Sequence, residues 1–185
     1  MAEYREFVEQ TGLTAFVQTT AETADGMLAQ AKALQAYFGE HFVVKLPAVP
    51  EGYRAVRLCK AAGIPVCVTV VHSMTQALVA AAAGAYYVAP YVSRIDNLGA
   101  DGIQTAKIIQ DMFTNNGLKC EILAASFKNS QQVQALAQYG VGAATIAPAV
   151  IEGLVKNAAV AAAIDDFTRD FEGLCGKGIT MKDAN

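Results

Sequence analysis

The sequence predicts an α/β protein in which parallel strands alternate with covering helices. Six short segments are apolar at successive positions, a pattern typical of strands buried on both faces. Segments with the helical spacing of apolar residues lie between them, and a parallel sheet needs such helices on both of its faces. Polar and charged residues gather where the predicted strands end, and this third observation favours one architecture over another.

The predicted strands are short apolar runs bounded by glycine, proline and small polar residues. In the second run Pro47 marks the end, because proline cannot donate a hydrogen bond to a sheet. The six strands are predicted at residues 14–19, 41–46, 65–71, 85–90, 120–125 and 143–147.

The predicted helices have apolar residues three and four positions apart and clear end signals. Glycines stand just past most of the periodic stretches, where a helix needs a left-handed residue. Ser73 with Gln76 predicts a capping box at the start of one helix. The helices are predicted at residues 3–10, 21–38, 51–62, 74–83, 103–115, 130–139, 148–156 and 158–174.

Two architectures contain alternating helices and parallel strands: an open doubly wound sheet and a (β/α) barrel. The dinucleotide-binding open sheet has G-x-G-x-x-G directly after its first strand, whereas Gly140 and Gly142 precede a strand. A barrel carries its functional groups at the carboxyl ends of its strands. Lys45 and Arg94 lie at or just past such ends, so the sequence predicts a TIM-barrel type fold with one domain over residues 1–185.

Composition argues against several classes of function. Hydrophobic residues make up 54% of the 185 residues and charged residues 17%, with a net charge of −3. No cluster of Lys and Arg is present, so we expect no nucleic-acid partner. The longest apolar run, near residues 77–90, is broken by Gly84, and we expect no membrane span. The four cysteines form no C-x-x-C pair and the N-terminus carries no secretory signal, which together indicate a reduced, cytoplasmic protein without a metal site.

One lysine is out of place in an apolar strand. Lys45 lies in the run HFVVKLP at residues 41–47, where burial disfavours the charged ammonium. A neutral lysine amine is a nucleophile, and with a carbonyl substrate it forms a Schiff base. The alternative is that Lys45 lies at the end of the strand and extends its charge to water without a catalytic role.

The predicted strand ends also carry a series of distinctive short sequence motifs. These are KLP at residues 45–47, GIPVCVTVVHS at 63–73, AGAYYVAPYVSRID at 83–96, GIQT at 102–105 and LAASFKN at 123–129. In this order and at these intervals they resemble the small transaldolases, most closely the fructose-6-phosphate aldolase branch. The resemblance implies a (β/α) barrel of carbohydrate metabolism that acts on fructose 6-phosphate, related sugar phosphates or small hydroxyketones such as dihydroxyacetone. It implies a class I aldolase or transaldolase that needs no metal or organic cofactor.

The resemblance also assigns roles to individual residues. Lys45 matches the lysine that attacks the ketose carbonyl, and Tyr91 matches the acid/base tyrosine. Gln18 and Thr69 match the pair that positions the catalytic water. These assignments are chemically consistent, because formation and hydrolysis of a Schiff base need a proton shuttle within hydrogen-bond reach.

Three further residues match a phosphate-binding group. Arg94 and Ser126 match the residues that bind the phosphate of the sugar, and Lys128 stands where transaldolases proper have another basic group. Arginine suits phosphate, because its planar guanidinium makes paired charge-assisted hydrogen bonds.

The predicted strand number departs from the family pattern. The resemblance implies eight strands, whereas six are predicted, and the family's first two, with an aspartate and a T-T-N-P-S word, are not found. We therefore expect the sheet either to remain open or to be closed by another segment or chain. This leaves an alternative function open: a truncated, catalytically weak or silent paralogue that serves as a sugar-phosphate-binding or assembly subunit.

The C-terminal segment, residues 158–185, predicts a contact between subunits. Its helix places an apolar stripe on one side and charged residues elsewhere. The stripe consists of Val160, Ile164, Phe167, Phe171 and Leu174. The resemblance implies that this segment reaches an adjacent subunit, so we expect a homo-oligomer, a pentamer or decamer, unless the helix packs back on its own chain.

Overall fold

The structure, a computed structural model, describes residues 1–183. Its contacts divide the chain into two compact units, the first from Met1 to Ala147 and the second from Pro148 onward. The first unit contains the whole sheet. The interpretation of residues 1–185 as a single domain stays a prediction.

Six parallel strands form one curled sheet, a half-barrel with helices around it. Every strand pairs with its neighbours in sequence, so the order β1-β2-β3-β4-β5-β6 has no reversal of the kind that defines a doubly wound sheet. The predicted TIM-barrel type α/β fold is confirmed. The strands are β1 Ala15–Gln18, β2 Phe42–Pro47, β3 Val66–Val71, β4 Tyr87–Pro90, β5 Glu121–Ala124 and β6 Ala143–Ala144.

Several helices begin at side-chain caps and several end at glycines, and the predicted cap at Ser73 is among them. Thr23, Ser73 and Asn129 each accept a hydrogen bond from a backbone N–H in the first turn of the helix that follows. The helices of the first unit are α1 Ala2–Thr11, α2 Ala24–Phe38, α3 Pro50–Ala61, α4 Met74–Ala83, α5 Val92–Asn97, α6 Gly102–Asn115 and α7 Ser130–Tyr139. The helices of the second unit are α8 Pro148–Val155 and α9 Ala158–Cys175.

Apolar side chains on both sides of the sheet are buried: those on the concave side pack against one another, and those on the convex side pack against helices. On the concave side, residues from β2 to β5 and the position after β5 form one buried cluster: Val43, Cys67, Ala89, Leu123 and Ala125. Phe16 and Tyr87 extend it with ring centroids 5.5 Å apart. On the convex side α3, α4 and α6 pack against the strands, and each fully buried valine there contributes about 1.5 kcal/mol.

Two elements beside the candidate site differ from the sequence prediction, and α2 begins at Ala24, three residues later than predicted, because Thr23 caps it. The helix α5, Val92–Asn97, is not among the predicted helices, because six residues are too few to show a helical period. The last strand was predicted at 143–147 but ends at Ala144. The N–H of Thr145 still donates to the carbonyl of Ala124 at 2.8 Å, and the chain then leaves the sheet. Both corrections lie beside the candidate site.

Two glycines allow helices to approach the strand ends closely. A Cβ at Gly52 would lie 1.9 Å from the carbonyl oxygen of Pro47, and a Cβ at Gly102 would lie 2.2 Å from that of Val92. No other residue fits such positions without a shift of the backbone. Glycine therefore brings α3 against the end of β2, and α6 against α5.

Candidate active site

Lys45 projects from β2, the second of the six strands. It is half-buried, and its neighbours in β2 on either side are buried. Val43, two residues earlier, belongs to the concave cluster, so strand alternation puts Lys45 on the concave side as well. Its Cα pairs with those of Gln18 in β1 and Cys67 in β3. The amine therefore points toward the inside of the half-barrel and not toward the helices.

Thr69 and Tyr91 form a hydrogen-bonded pair across β3 and β4. The Thr69 Oγ1 donates to the phenolic oxygen of Tyr91 at 3.0 Å, and Thr69 is fully buried. The Tyr91 ring lies under the guanidinium of Arg94, 4.9 Å from the ring centroid, and beside the ring of His72 at 6.1 Å. These contacts hold the phenol in one orientation, which a group that transfers protons requires.

One open cleft brings four of the predicted site residues together. It has a volume of about 390 Å³ and is bounded by the strand ends, by α5 and by the segment after β6. The predicted residues in its wall are Lys45, Tyr91, Arg94 and Ser126, and the others are Ala125, Phe127, Thr145, Ile146 and Ala147. Two basic groups and three hydroxyls, the third from Thr145, in a small cleft suit an anionic, hydroxylated molecule.

The backbone is strained at two positions in this region. Val70 and Ser126, with φ of 61° and 63°, are the non-glycine residues of the described chain that have positive φ. Such a conformation costs about 1–3 kcal/mol, and it is rarest for β-branched residues such as valine. Val70 lies where the pairing of β3 with β4 shifts register, directly after Thr69. The strain is thus concentrated beside the groups that could carry chemistry.

Burial makes the thiol of Cys67, which pairs with Lys45 across β2 and β3, unreactive. Cys67 is fully buried, and burial raises the pKa of its thiol to about 12, against a smaller opposing effect of the Lys45 charge. Cys67 therefore stays neutral at physiological pH and cannot compete with Lys45 as a nucleophile. Within residues 1–183 no group of three or more His, Cys, Asp or Glu side chains is placed to hold a metal ion.

Two predicted residues lie apart from the cleft. Gln18 is in register with Lys45, but its side chain is exposed and makes no hydrogen bond to the described residues. Lys128 is exposed and is not among the residues that line the cleft. Thr69 reaches the cleft only through its hydrogen bond to Tyr91.

A hydrogen-bond network around the buried side chain of Gln132, next to the cleft, was not predicted. Gln132 in α7 accepts a hydrogen bond from Ser93 and donates one to Asp96, so that it links two residues of α5 to α7. The sequence holds one signal of it. Asn129 and Gln132 repeat the cap-and-glutamine spacing of a capping box, but that spacing is local and does not indicate contacts about 40 residues away.

The fold and the site define an α/β half-barrel protein with a lysine, a tyrosine and an arginine at the carboxyl ends of its strands. A family model described as "Transaldolase/Fructose-6-phosphate aldolase" matches residues 8–184. The chain belongs to this family, and the resemblance seen in its sequence is confirmed.

Curated relatives support the same family. A probable transaldolase of a Hydrogenobaculum species is 37% identical over 161 residues, covering 87% of this chain and 74% of the relative. A probable transaldolase of Aquifex aeolicus is 36% identical over 168 residues, covering 91% and 77%. One of Nitrosopumilus maritimus is 38% identical over 148 residues, covering 80% and 66%. The chain therefore spans two-thirds to three-quarters of the length of these relatives.

Among solved structures, the chain is similar in fold to a mandelate oxidase. The TM-score is 0.57 at 17% sequence identity, over 93% of this chain and 62% of the mandelate oxidase chain. This similarity concerns the fold alone. In the described part of the chain, no helix has the length and apolar character needed to cross a bilayer.

Proposed function

We propose that this protein is a class I aldolase or transaldolase in which Lys45 forms a Schiff base with a ketose. One observation carries the proposal: in a chain of this family, Lys45 lines the same cleft as Tyr91, whose hydroxyl is fixed by Thr69. A lysine that served only to extend its charge to solvent would not need a fixed phenol in the same cleft.

The first half of the reaction joins the substrate to the lysine. The neutral amine of Lys45 attacks the ketose carbonyl carbon, a C–N bond forms, and the carbonyl oxygen gains a proton. That oxygen then leaves as water, and the iminium remains. Tyr91 supplies and removes protons, in part through a water held by Gln18 and Thr69. Thr69 keeps the phenol in position, since its hydroxyl donates to the phenolic oxygen.

The second half breaks a carbon–carbon bond. The bond that breaks joins the carbon next to the iminium carbon to the following carbon, which carries a hydroxyl group. That hydroxyl gives its proton to Tyr91, the bond breaks, and an aldehyde leaves. The electron pair moves into the iminium, which becomes an enamine. The enamine then adds to a second aldehyde, which is transfer, or takes up a proton, which is cleavage. Each route gives a new iminium, and water hydrolyses it to release the ketone product. The lysine amine is free again at the end of either route.

The proposed substrates are fructose 6-phosphate, related sugar phosphates and small hydroxyketones such as dihydroxyacetone. The guanidinium of Arg94 and the hydroxyl of Ser126 stand in the cleft wall with Lys45, and both suit a phosphate oxygen. Lys128 contributes by its positive charge at a greater distance.

Trapping with borohydride tests the nucleophile. The protein is incubated with dihydroxyacetone, reduced and digested, and we expect the added mass on the peptide that contains Lys45. Lys45→Met should abolish trapping and keep the fold, because methionine fills a similar volume without an amine. Lys32→Met, at an exposed position of α2, is the matched control and should trap like the wild type.

Two outcomes would change the proposal. Trapping that survives in Lys45→Met would assign the Schiff base to another lysine. Absence of trapping in a wild type that still binds sugar phosphate would favour the alternative, a catalytically silent sugar-phosphate-binding or assembly subunit.

We also propose that α9 forms a contact between subunits of a homo-oligomer. Its apolar stripe is largely exposed, with Phe167 at 71% and Leu174 at 87%. Phe167→Ser with Leu174→Ser should lower the mass measured by light scattering, whereas Asp165→Ser with Arg169→Ser, on the polar side, should not. A wild type that is already monomeric would overturn this proposal.

A further inference from the structure

Gln132 is a buried polar side chain with every hydrogen-bonding direction of its amide oxygen and one of its amide hydrogens in use. Only 6% of its surface is exposed. Its Oε1 accepts from the hydroxyl of Ser93 at 3.1 Å and from the backbone N–H of Lys128 at 2.9 Å, and its Nε2 donates to the Asp96 carboxylate at 2.7 Å. A buried amide satisfied in this way has one preferred orientation.

The partners of Gln132 surround the two residues proposed to bind phosphate. Ser93 and Asp96 lie on either side of Arg94 in α5, and Lys128 lies two residues after Ser126. The second oxygen of Asp96 accepts from the N–H of Gly102 at 2.8 Å, which ties the same network to the start of α6. Gln132 therefore connects the helix that carries the guanidinium with the loop that carries the hydroxyl.

Backbone hydrogen bonds between these segments are few. The N–H of Val92 donates to the carbonyl of Ala125 at 3.0 Å, and the N–H of Ser93 donates to that of Ser126 at 2.9 Å. Ser126 itself has the strained φ of 63°. A strained residue keeps its conformation only when its surroundings hold it, and the side chain of Gln132 supplies part of that support.

We propose that Gln132 is a positioning residue for the anionic group of the substrate: it sets the distance between the guanidinium of Arg94 and the hydroxyl of Ser126. The inference rests on the proposed function, since it takes these two residues as the phosphate site. If Gln132 only capped α7, hydrogen bonds within the first turn of that helix would be sufficient. The bonds of Gln132 to α5, 39 and 36 residues away, are what a positioning role requires.

Phosphate affinity measured by calorimetry tests this role. Inorganic phosphate and sorbitol 6-phosphate are the probes, because neither has a carbonyl and their binding does not depend on a Schiff base. We expect Gln132→Ala to weaken both by about tenfold, as misplacement of a charge-assisted hydrogen bond does. Gln131→Ala, the exposed neighbour in the same turn, is the matched control and should bind like the wild type.

A charge exchange separates positioning from simple loss of stability. Gln132→Glu alone sets a carboxylate against Asp96 and should weaken phosphate binding at least as much as Gln132→Ala. In the double variant Gln132→Glu with Asp96→Asn, the new amide at position 96 donates to the new carboxylate at position 132. The other three donors keep their acceptors: the N–H groups of Lys128 and Gly102 and the hydroxyl of Ser93. We expect the double variant to recover most of the phosphate affinity. Circular dichroism checks that each variant is folded at the temperature of the titration.

The outcomes distinguish this inference from the proposed function. If Arg94→Ala binds phosphate like the wild type, the phosphate site itself is wrong and the inference fails with it. If Arg94→Ala weakens binding but folded Gln132→Ala does not, the site stands and the inference alone is overturned. Failure of the double variant to recover affinity while its melting temperature recovers would also overturn it, because the network would then support stability only.

Discussion

The N-termini of α4 and α7 begin with the same local arrangement. In α4 the Ser73 hydroxyl accepts from the N–H of Gln76 at 3.3 Å, and in α7 the Asn129 side chain accepts from the N–H of Gln132 at 2.9 Å. In both helices the glutamine Oε1 accepts from the N–H just before the cap: that of His72 at 2.7 Å and that of Lys128 at 2.9 Å. Each glutamine thus reaches one residue beyond the partner of a standard capping box.

The two glutamines differ in what else they contact. The side chain of Gln76 is half-buried and its hydrogen bonding stays within its own helix start. Gln132 is buried and continues to Ser93 and Asp96 in α5. The same sequence pattern therefore gives an ordinary cap at one strand end and the centre of a network at another. Burial, and not the pattern, decides which role the glutamine has.

The comparison predicts unequal losses when the glutamines are removed. Gln132→Ala leaves the buried Ser93 hydroxyl and one N–H without an acceptor and should lower the free energy of unfolding by about 2–3 kcal/mol. Gln76→Ala removes a single local bond and should lower it by about 1 kcal/mol. Urea unfolding of both variants measures the two losses, and equal values would mean that the contacts with α5 add nothing to stability.

The caps themselves should be equivalent. Ser73→Ala and Asn129→Ala each remove one side-chain acceptor at the N-cap, and each should lower the free energy of unfolding by about 1 kcal/mol. The same urea experiment applies, with Gln131→Ala as the control. A clearly larger loss for Asn129→Ala would show that the cap in α7 also depends on the buried network.

A third helix start provides a smaller, pH-dependent test. The N–H of Ala24 at the start of α2 donates to the carboxylate of Glu51 in α3, and this bond, with a second one from Arg54, holds the pKa of that carboxyl below its usual 4.5. A lowered pKa in the folded state means that the stabilisation is present above pH 4.5 and is lost as the pH falls through the lowered value.

Thermal unfolding at a series of acidic pH values measures this contribution. Glu51→Gln should reduce the loss of stability below pH 4.5, whereas Glu22→Gln, at an exposed position before α2, serves as the matched control. We expect a small effect, because Glu51 is close to solvent and salt screens its interactions. If the melting temperature of Glu51→Gln fell with pH as steeply as that of the wild type, the hydrogen bond from Ala24 to Glu51 would not contribute to stability.

The fold was largely predictable because its signals are local. The apolar runs and the glycines after helices gave five of the strands to within two residues at each end, and α4 and α7 with their observed bounds. The last strand was predicted too long, since the run to Ala147 is apolar for a different reason: Ile146 and Ala147 line the cleft instead of pairing in the sheet. An apolar run predicts burial, but it does not show whether the residues pair in the sheet or line a cleft.

The candidate site was only partly predictable. Lys45 is visible as a charge inside an apolar strand, and the short words of the family indicate Tyr91, Arg94 and Ser126. The strained φ of Val70 has no sequence signal, because valine is an ordinary strand residue and the strain arises from the register shift of β3 against β4. Contacts between distant segments, like those of Gln132, depend on how the helices pack and therefore appear only in the structure.

The sequential strand order has a consequence for how the chain folds. Each strand needs only the preceding strand as its template, so contacts form between segments close in sequence and the entropy lost in closing each loop is modest. During synthesis the sheet can grow one βα unit at a time from the N-terminus. Asp96 in α5 is synthesised 36 residues before its partner Gln132. We therefore expect α5, which carries Arg94, to take its final position only after α7 has left the ribosome.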